Sequence, residues 1–118
     1  KANLMRNIIR SEYMDLFNRF DVLISPTAPK TAFELGKFKD SPTDMYYTDM
    51  LTVSANLCGF PALSVPCGFD KNQLPMGVQL MGNMHNEALL FSAAYALENA
   101  IGDKAHKKTK IGGDELGI

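Results

Sequence analysis

Glycine and proline stand at the joints of the stretch from Tyr46 to Gly82, YYTDMLTVSANLCGFPALSVPCGFDKNQLPMGVQLMG. Few folds fit that punctuation. A helix-like run stops at Gly59, which suits the left-handed residue after a helix end. A strand over 62–66 leads to Cys67-Gly68. A turn over 70–73 follows, and a second strand over 76–81 stops at Gly82. Each boundary falls where the backbone takes angles that Gly permits or Pro imposes. In the second strand Val78 and Leu80 point one way, and Gln79 and Met81 the other. Both faces are largely apolar, which predicts a sheet covered on both sides. The two strands can pair through the connection from Cys67 to Pro75, which is longer than a two-residue hairpin loop.

The flanking segments supply helices and one more strand. Leu4, Met5, Ile8, Ile9, Leu16, Phe17 and Phe20 recur at three- and four-residue steps, predicting an amphipathic helix over 2–19. Arg6 and Arg10 lie one turn apart, as surface charges or as a small anion site. Val22, Leu23 and Ile24 form an apolar run that predicts a strand over 21–25, buried on both faces and stopped by Pro26 and Pro29. Residues 30–43 lack periodicity and read as a long loop, functional or simply crossing the surface. A helix over 44–58, capped by Thr43 or Asp44, carries an apolar face of Met45, Tyr46, Met50, Val53 and Leu57. Asp49, Thr52 and Asn56 share another stripe of it. A last helix over 87–101 opens at Asn86 and ends at Gly102.

Composition closes several functional classes. The apolar share of 46% is enough for a core and argues against disorder. A net charge of -1 carries no basic footprint for nucleic acid. Lys104, Lys107, Lys108 and Lys110 with His106 form a short basic run, read as a solvated tail. No apolar run reaches the ~20 residues of a membrane span. Cys58 and Cys67 belong to no CxxC pair and read as reduced core residues, which suits a cytoplasmic protein, with a disulfide between them as the lesser alternative. His85 and His106 are too few and too far apart for a metal site. No GxSxG elbow, HExxH, phosphate loop or GxGxxG is present, so neither a nucleophile nor a cofactor site is assigned.

The runs ANLCGFPALSVPCGF and LPMGVQLMG resemble the C-terminal part of the amidase signature family. DVLISPTAP at 21–29 and the pattern Tyr46-x-x-Asp49-x-x-Thr52 fit the same family. Within it the resemblance is strongest to the A subunits of the glutamyl-tRNA(Gln) or aspartyl-tRNA(Asn) amidotransferases. It runs from about residue 4 to about residue 101. It implies an α/β fold, the C-terminal portion of the amidase signature fold, with a mixed open sheet flanked by helices. Residues 1–102 would be an incomplete domain, roughly the last quarter of a member, and 103–118 a flexible tail. The absent initiator Met and the immediate helix agree with an excised piece.

The resemblance also implies a chemistry. Such enzymes use a serine nucleophile, a second serine with a cis peptide, and a lysine, in a Gly- and Ser-rich stretch upstream of the matched region. Ser54 and Ser64 sit in no such stretch, so the chain alone is expected to be inactive. The implied partners are the B and C subunits of the amidotransferase, glutamine, and tRNA only through a partner subunit, with no membrane. Asp49 is the one site residue carried over: the acid of Y-x-x-D-x-x-T helps hold the amino-acid end of glutamine. Read without the resemblance, Asp49 is an exposed helix residue bonded locally to Thr48 or Thr52. The alternatives are another amidase signature hydrolase, and a non-catalytic α/β interaction module. A cleft around Asp49 would favour the enzyme; an Asp49 facing solvent beside a closed sheet would favour the module.

Overall fold

The computed structural model describes residues 2–37, 42–105, 110–111 and 114–115. Its centre is the hairpin predicted from the Gly/Pro punctuation. Strand β2 (Ala62–Phe69) and strand β3 (Pro75–Gly82) pair antiparallel, and β1 (Val22–Pro26) pairs antiparallel with the other side of β3. The order β1-β3-β2 puts the most regularly apolar strand in the middle. A mixed sheet also needs parallel neighbours, and none occurs among these three strands. The sheet is open, with helices on both faces, as the sequence predicts.

The faces divide by the two-residue alternation. Leu63, Val65, Val78, Leu80 and Val22 take one face, where Leu90, Ala94 and Leu97 of α4 (Glu87–Ile101) cover them. Leu23 and Met81 take the other, beneath α3 (Val53–Cys58) and α1 (Ala2–Phe17). There Phe60 is the hub: its ring lies 5.7 Å from Tyr13 and 5.2 Å from Phe17, both tilted. Ile9, Tyr13 and Phe17 are four residues apart, so one stripe of α1 reaches this core. Fully burying a large side chain, as Phe60 is buried here, contributes about 1.5–3 kcal/mol.

Three further expectations are corrected. The helix over 44–58 divides into α2 (Pro42–Asp49) and α3, separated by a turn at 50–52. The carbonyl of Asp49 accepts from both the amide and the hydroxyl of Thr52, at 3.0 Å each. A threonine hydroxyl thus takes part in closing the turn, where side-chain bonds compete with the helix ladder. Strand β1 is an edge, not a doubly buried strand: Ile24 is 62% exposed, and Pro26 ends the ladder opposite Val78. Edge position is also what makes a strand proline tolerable. Helix α1 ends at Phe17 rather than 19, because Arg19 tightens the last turn by bonding the carbonyl of Leu16.

The joints behave as their residues dictate. Gly59 takes φ 75°, and the amides of Gly59 and Phe60 both bond the carbonyl of Ala55. The register slips between Pro66 and Gly68, so Cys67 sits in a bulge whose Gly68 has φ 136°. Cys58 and Cys67 are free thiols. Asn86 stands before α4 without a side-chain cap, and Gly102 follows it. A short 3-10 turn, Gly102–Ala105, continues the chain. Two-residue strands Lys110–Ile111 and Asp114–Glu115 pair antiparallel. Most of the expected flexible tail and basic run, His106 included, lies outside the described residues, as do 38–41 of the expected loop.

The described part of that loop is tethered. Thr31 donates its hydroxyl to the Asp70 carboxylate at 2.8 Å, and the amides of Asn72 and Leu74 donate to it at 2.8 and 2.9 Å. The Leu74 amide holds the Asp70 carboxyl below its ordinary value against the opposing pull of burial; Thr31, Asn72 and the charge of Lys71 act the same way as Leu74.

Candidate functional site

A polar row crosses the inner sheet face where the apolar core stops. Ser25, Gln79 and Ser64 lie directly opposite one another on β1, β3 and β2. Thr27 follows β1, and its hydroxyl meets that of Ser64 at 2.6 Å. Gly77 lies beneath this pair: a Cβ there would come within 2.7 Å of Ser64 Oγ and 3.1 Å of Thr27 Oγ1. The missing side chain therefore provides room rather than an unusual backbone angle.

Above this row the start of α3 leaves a cleft of about 310 Å³. Its polar lining is Thr27, Thr52, Asn56, Ser64 and Gln79, with Ala55, Phe60, Ala62 and Leu63 beside them. Every polar group in it is neutral. Such a lining suits hydrogen bonding to an uncharged polar group and offers no acid or base. On the far side of Gln79 a second cleft, about 290 Å³, runs between Tyr13, Ser25, Met50, Leu51 and Ser54. Gln79 is 5% exposed, and its Nε2 donates to the carbonyl of Leu51 at 3.1 Å and to Ser25 Oγ at 3.4 Å.

Asp49 is the last residue of α2 and is exposed. Its Oδ1 accepts a long contact of 3.4 Å from Thr48 Oγ1, while that hydroxyl also bonds the Met45 carbonyl at 2.6 Å. Thr52 and Asn56 line the larger cleft, linked by Asn56 Nδ2 to the Thr52 carbonyl at 3.2 Å. Asp49 lies outside that lining, one turn before Thr52, and joins the site through the bonds of Thr52 to its carbonyl. The site thus combines an exposed acid with an open sheet, so neither of the two contrasting arrangements expected from sequence applies as a whole.

The other candidates separate. Ser54 accepts from Tyr13 Oη at 3.0 Å, and Ser64 pairs with Thr27. No serine pairs with a lysine or histidine among the described residues. His85 is exposed in a turn at φ 61°. Arg6 contacts Asn3, and Arg10 points at Met84 Sδ, 2.8 Å away. Among the described residues no helix is long and apolar enough to cross a membrane. Sequence reasoning placed Gln79 within LPMGVQLMG but gave it no role. Its signal was an amide on the inner face of an otherwise apolar central strand.

The described residues thus form an open antiparallel sheet between helical layers, with an uncharged hydrogen-bonding cleft on one face. Residues 1–91 match the model of the family described as Amidase, and the chain belongs to that family. It is 47% identical over 111 residues to the A subunit of the glutamyl-tRNA(Gln) amidotransferase of Halothermothrix orenii, covering 94% of this chain and 23% of that relative. The crystal structure of the corresponding A subunit from Thermotoga maritima superposes with a TM-score of 0.75 at 41% identity, over 80% of this chain and 20% of that one. An allophanate hydrolase of Kluyveromyces lactis superposes at 0.72 with 27% identity, over 87% of this chain and 16% of the other. The chain therefore spans about a fifth of the length of its named relatives.

Proposed function

We propose that this chain is the C-terminal segment of the glutamine-hydrolysing A subunit of a tRNA-dependent amidotransferase. The observation that carries the reading is the 47% identity to such a protein over nearly the whole chain. Identity to the allophanate hydrolase is 27%. In the complete enzyme a serine outside this chain attacks the side-chain amide carbon of glutamine. The C–N bond breaks, ammonia leaves, and water hydrolyses the acyl-enzyme to glutamate. The ammonia passes to Glu-tRNA(Gln) activated with ATP on the partner B and C subunits, so the assembly is a cytoplasmic ligase of protein biosynthesis. The chain itself binds tRNA only through those partners, holds no cofactor and is inactive alone.

Asp49 supplies the chain's direct contact with substrate in this reading. As the last residue of α2 its carboxylate meets the negative end of the helix dipole, an unfavourable arrangement that a bound ammonium offsets. The α-ammonium of glutamine is such a group, and its bonds to a carboxylate are charge-assisted. Asp49 is exposed in this segment; where the rest of the enzyme closes over the bound glutamine and takes the pair out of water, removing one partner costs ~2–5 kcal/mol. At ~1.4 kcal/mol per tenfold, Asp49→Asn in the complete enzyme lowers glutamine-driven amidation at least roughly tenfold. Ammonia-driven amidation is retained, because ammonia bypasses the glutamine pocket. A steady-state comparison of the two nitrogen sources checks this. A parallel fall of both makes Asp49 structural, and no change in either removes it from the site.

A further inference from the structure

We infer that Gln79 is a positioning residue for Asp49. This rests on the reading of Asp49 given above. The turn at 50–52 separates α2 from α3, so Asp49 is not carried on one continuous helix. Its orientation depends on what fixes that turn. From within, Thr52 bonds the Asp49 carbonyl twice. From outside, the buried amide of Gln79 donates to the carbonyl of Leu51, two residues after Asp49. The same amide reaches Ser25, opposite it on β1, so the turn is tied to both the central and an edge strand. A sheet is a stiffer base than a six-residue helix, and a binding carboxylate must be held to within a fraction of an ångström.

The chemistry of the contact requires a hydrogen-bond donor, which the Gln79 amide supplies. A carbonyl needs a donor, and a carboxylate at the same place would face it with acceptors alone. An apolar residue of the same length would leave the Leu51 carbonyl without this bond.

The test uses the complete enzyme with Gln79→Met, Asp49→Asn and the double variant, read as KM and kcat for glutamine. Gln79→Met is expected to raise KM about tenfold with kcat within about twofold. The double variant is expected to be no worse than Asp49→Asn alone, because both remove one interaction. Amide hydrogen exchange at Thr52 should quicken in Gln79→Met, a direct report on the turn. The inference is overturned if Asp49→Asn raises KM while Gln79→Met does not, or if the two effects multiply. If Asp49→Asn leaves KM unchanged, the reading of Asp49 fails first and the inference falls with it. Should Gln79→Met fail to fold, Gln79→Leu serves the same comparison, since it removes the donor without burying a charge.

Discussion

Single atoms decide the shape of the polar cleft. Gly77 has no positive φ to justify it; its role is the space over its Cα. Gly77→Ala places a methyl group 2.7 Å from Ser64 Oγ, so that hydroxyl must turn away from Thr27. The expected loss is the worth of one hydrogen bond, about 1 kcal/mol, together with a narrowed cleft. A thermal-shift cycle with Ser64→Ala checks the cause. In the Ser64→Ala background most of the cost of Gly77→Ala should vanish; an unchanged cost would place the strain elsewhere. Sequence showed this glycine only as part of LPMGVQLMG. The reason for it depends on a side chain of β2 and one just past β1, and no local pattern carries that.

At the scale of elements, the long-range core of one face gathers on Phe60, the residue after the left-handed Gly59. Its ring is 5% exposed and touches both Tyr13 and Phe17 of α1. Phe60→Ala removes the surface on which α1 rests, at a cost of about 3–5 kcal/mol. The expected signature is protease cleavage within α1 while the β2–β3 hairpin and α4 stay protected, since α4 packs on the opposite face. Uniform loss of protection would mean that both faces unfold together. The elements themselves were legible where periodicity and punctuation agree: α1, α4 and the hairpin all lie within a few residues of their expected places. The helix over 44–58 was not, because its apolar stripe continues in phase through 50–52. The break comes from Thr52 bonding back to Asp49, a competition that hydrophobic spacing does not register. The burial of β1 was misjudged for a related reason. Val22, Leu23 and Ile24 are apolar enough for a central strand, but position in a sheet is set by the partner strands, and β3 took the centre. For the candidate site, Asp49 was singled out through a family resemblance and lies outside the cleft lining, while Thr52 and Asn56, noted for their spacing, line it. Gln79 became meaningful only when its amide was seen against Leu51.

At the scale of the molecule, much of the described surface is apolar: on α1, Leu4 is 64%, Met5 56% and Ile8 44% exposed, and on α4 Phe91 is 66% and Tyr95 68%. Met5 continues the stripe of Ile9, Tyr13 and Phe17 beyond the core, and Leu4, Ile8, Phe91 and Tyr95 lie off the stripes that meet the core, so the helices are apolar on more than one side. A surface helix usually turns charge outward, and contiguous apolar patches above ~400 Å² mark interaction surfaces. The chain in isolation is therefore expected to self-associate. Sedimentation velocity over a range of concentrations should show species larger than the monomer that dissociate on dilution. Leu4→Glu with Ile8→Glu should shift that equilibrium toward monomer while leaving the circular dichroism unchanged, since exposed substitutions of this kind move stability by only about 0.5 kcal/mol. A chain that stays monomeric at high concentration, or one whose association ignores the two charges, would show that the outer face of α1 is not the adhesive surface.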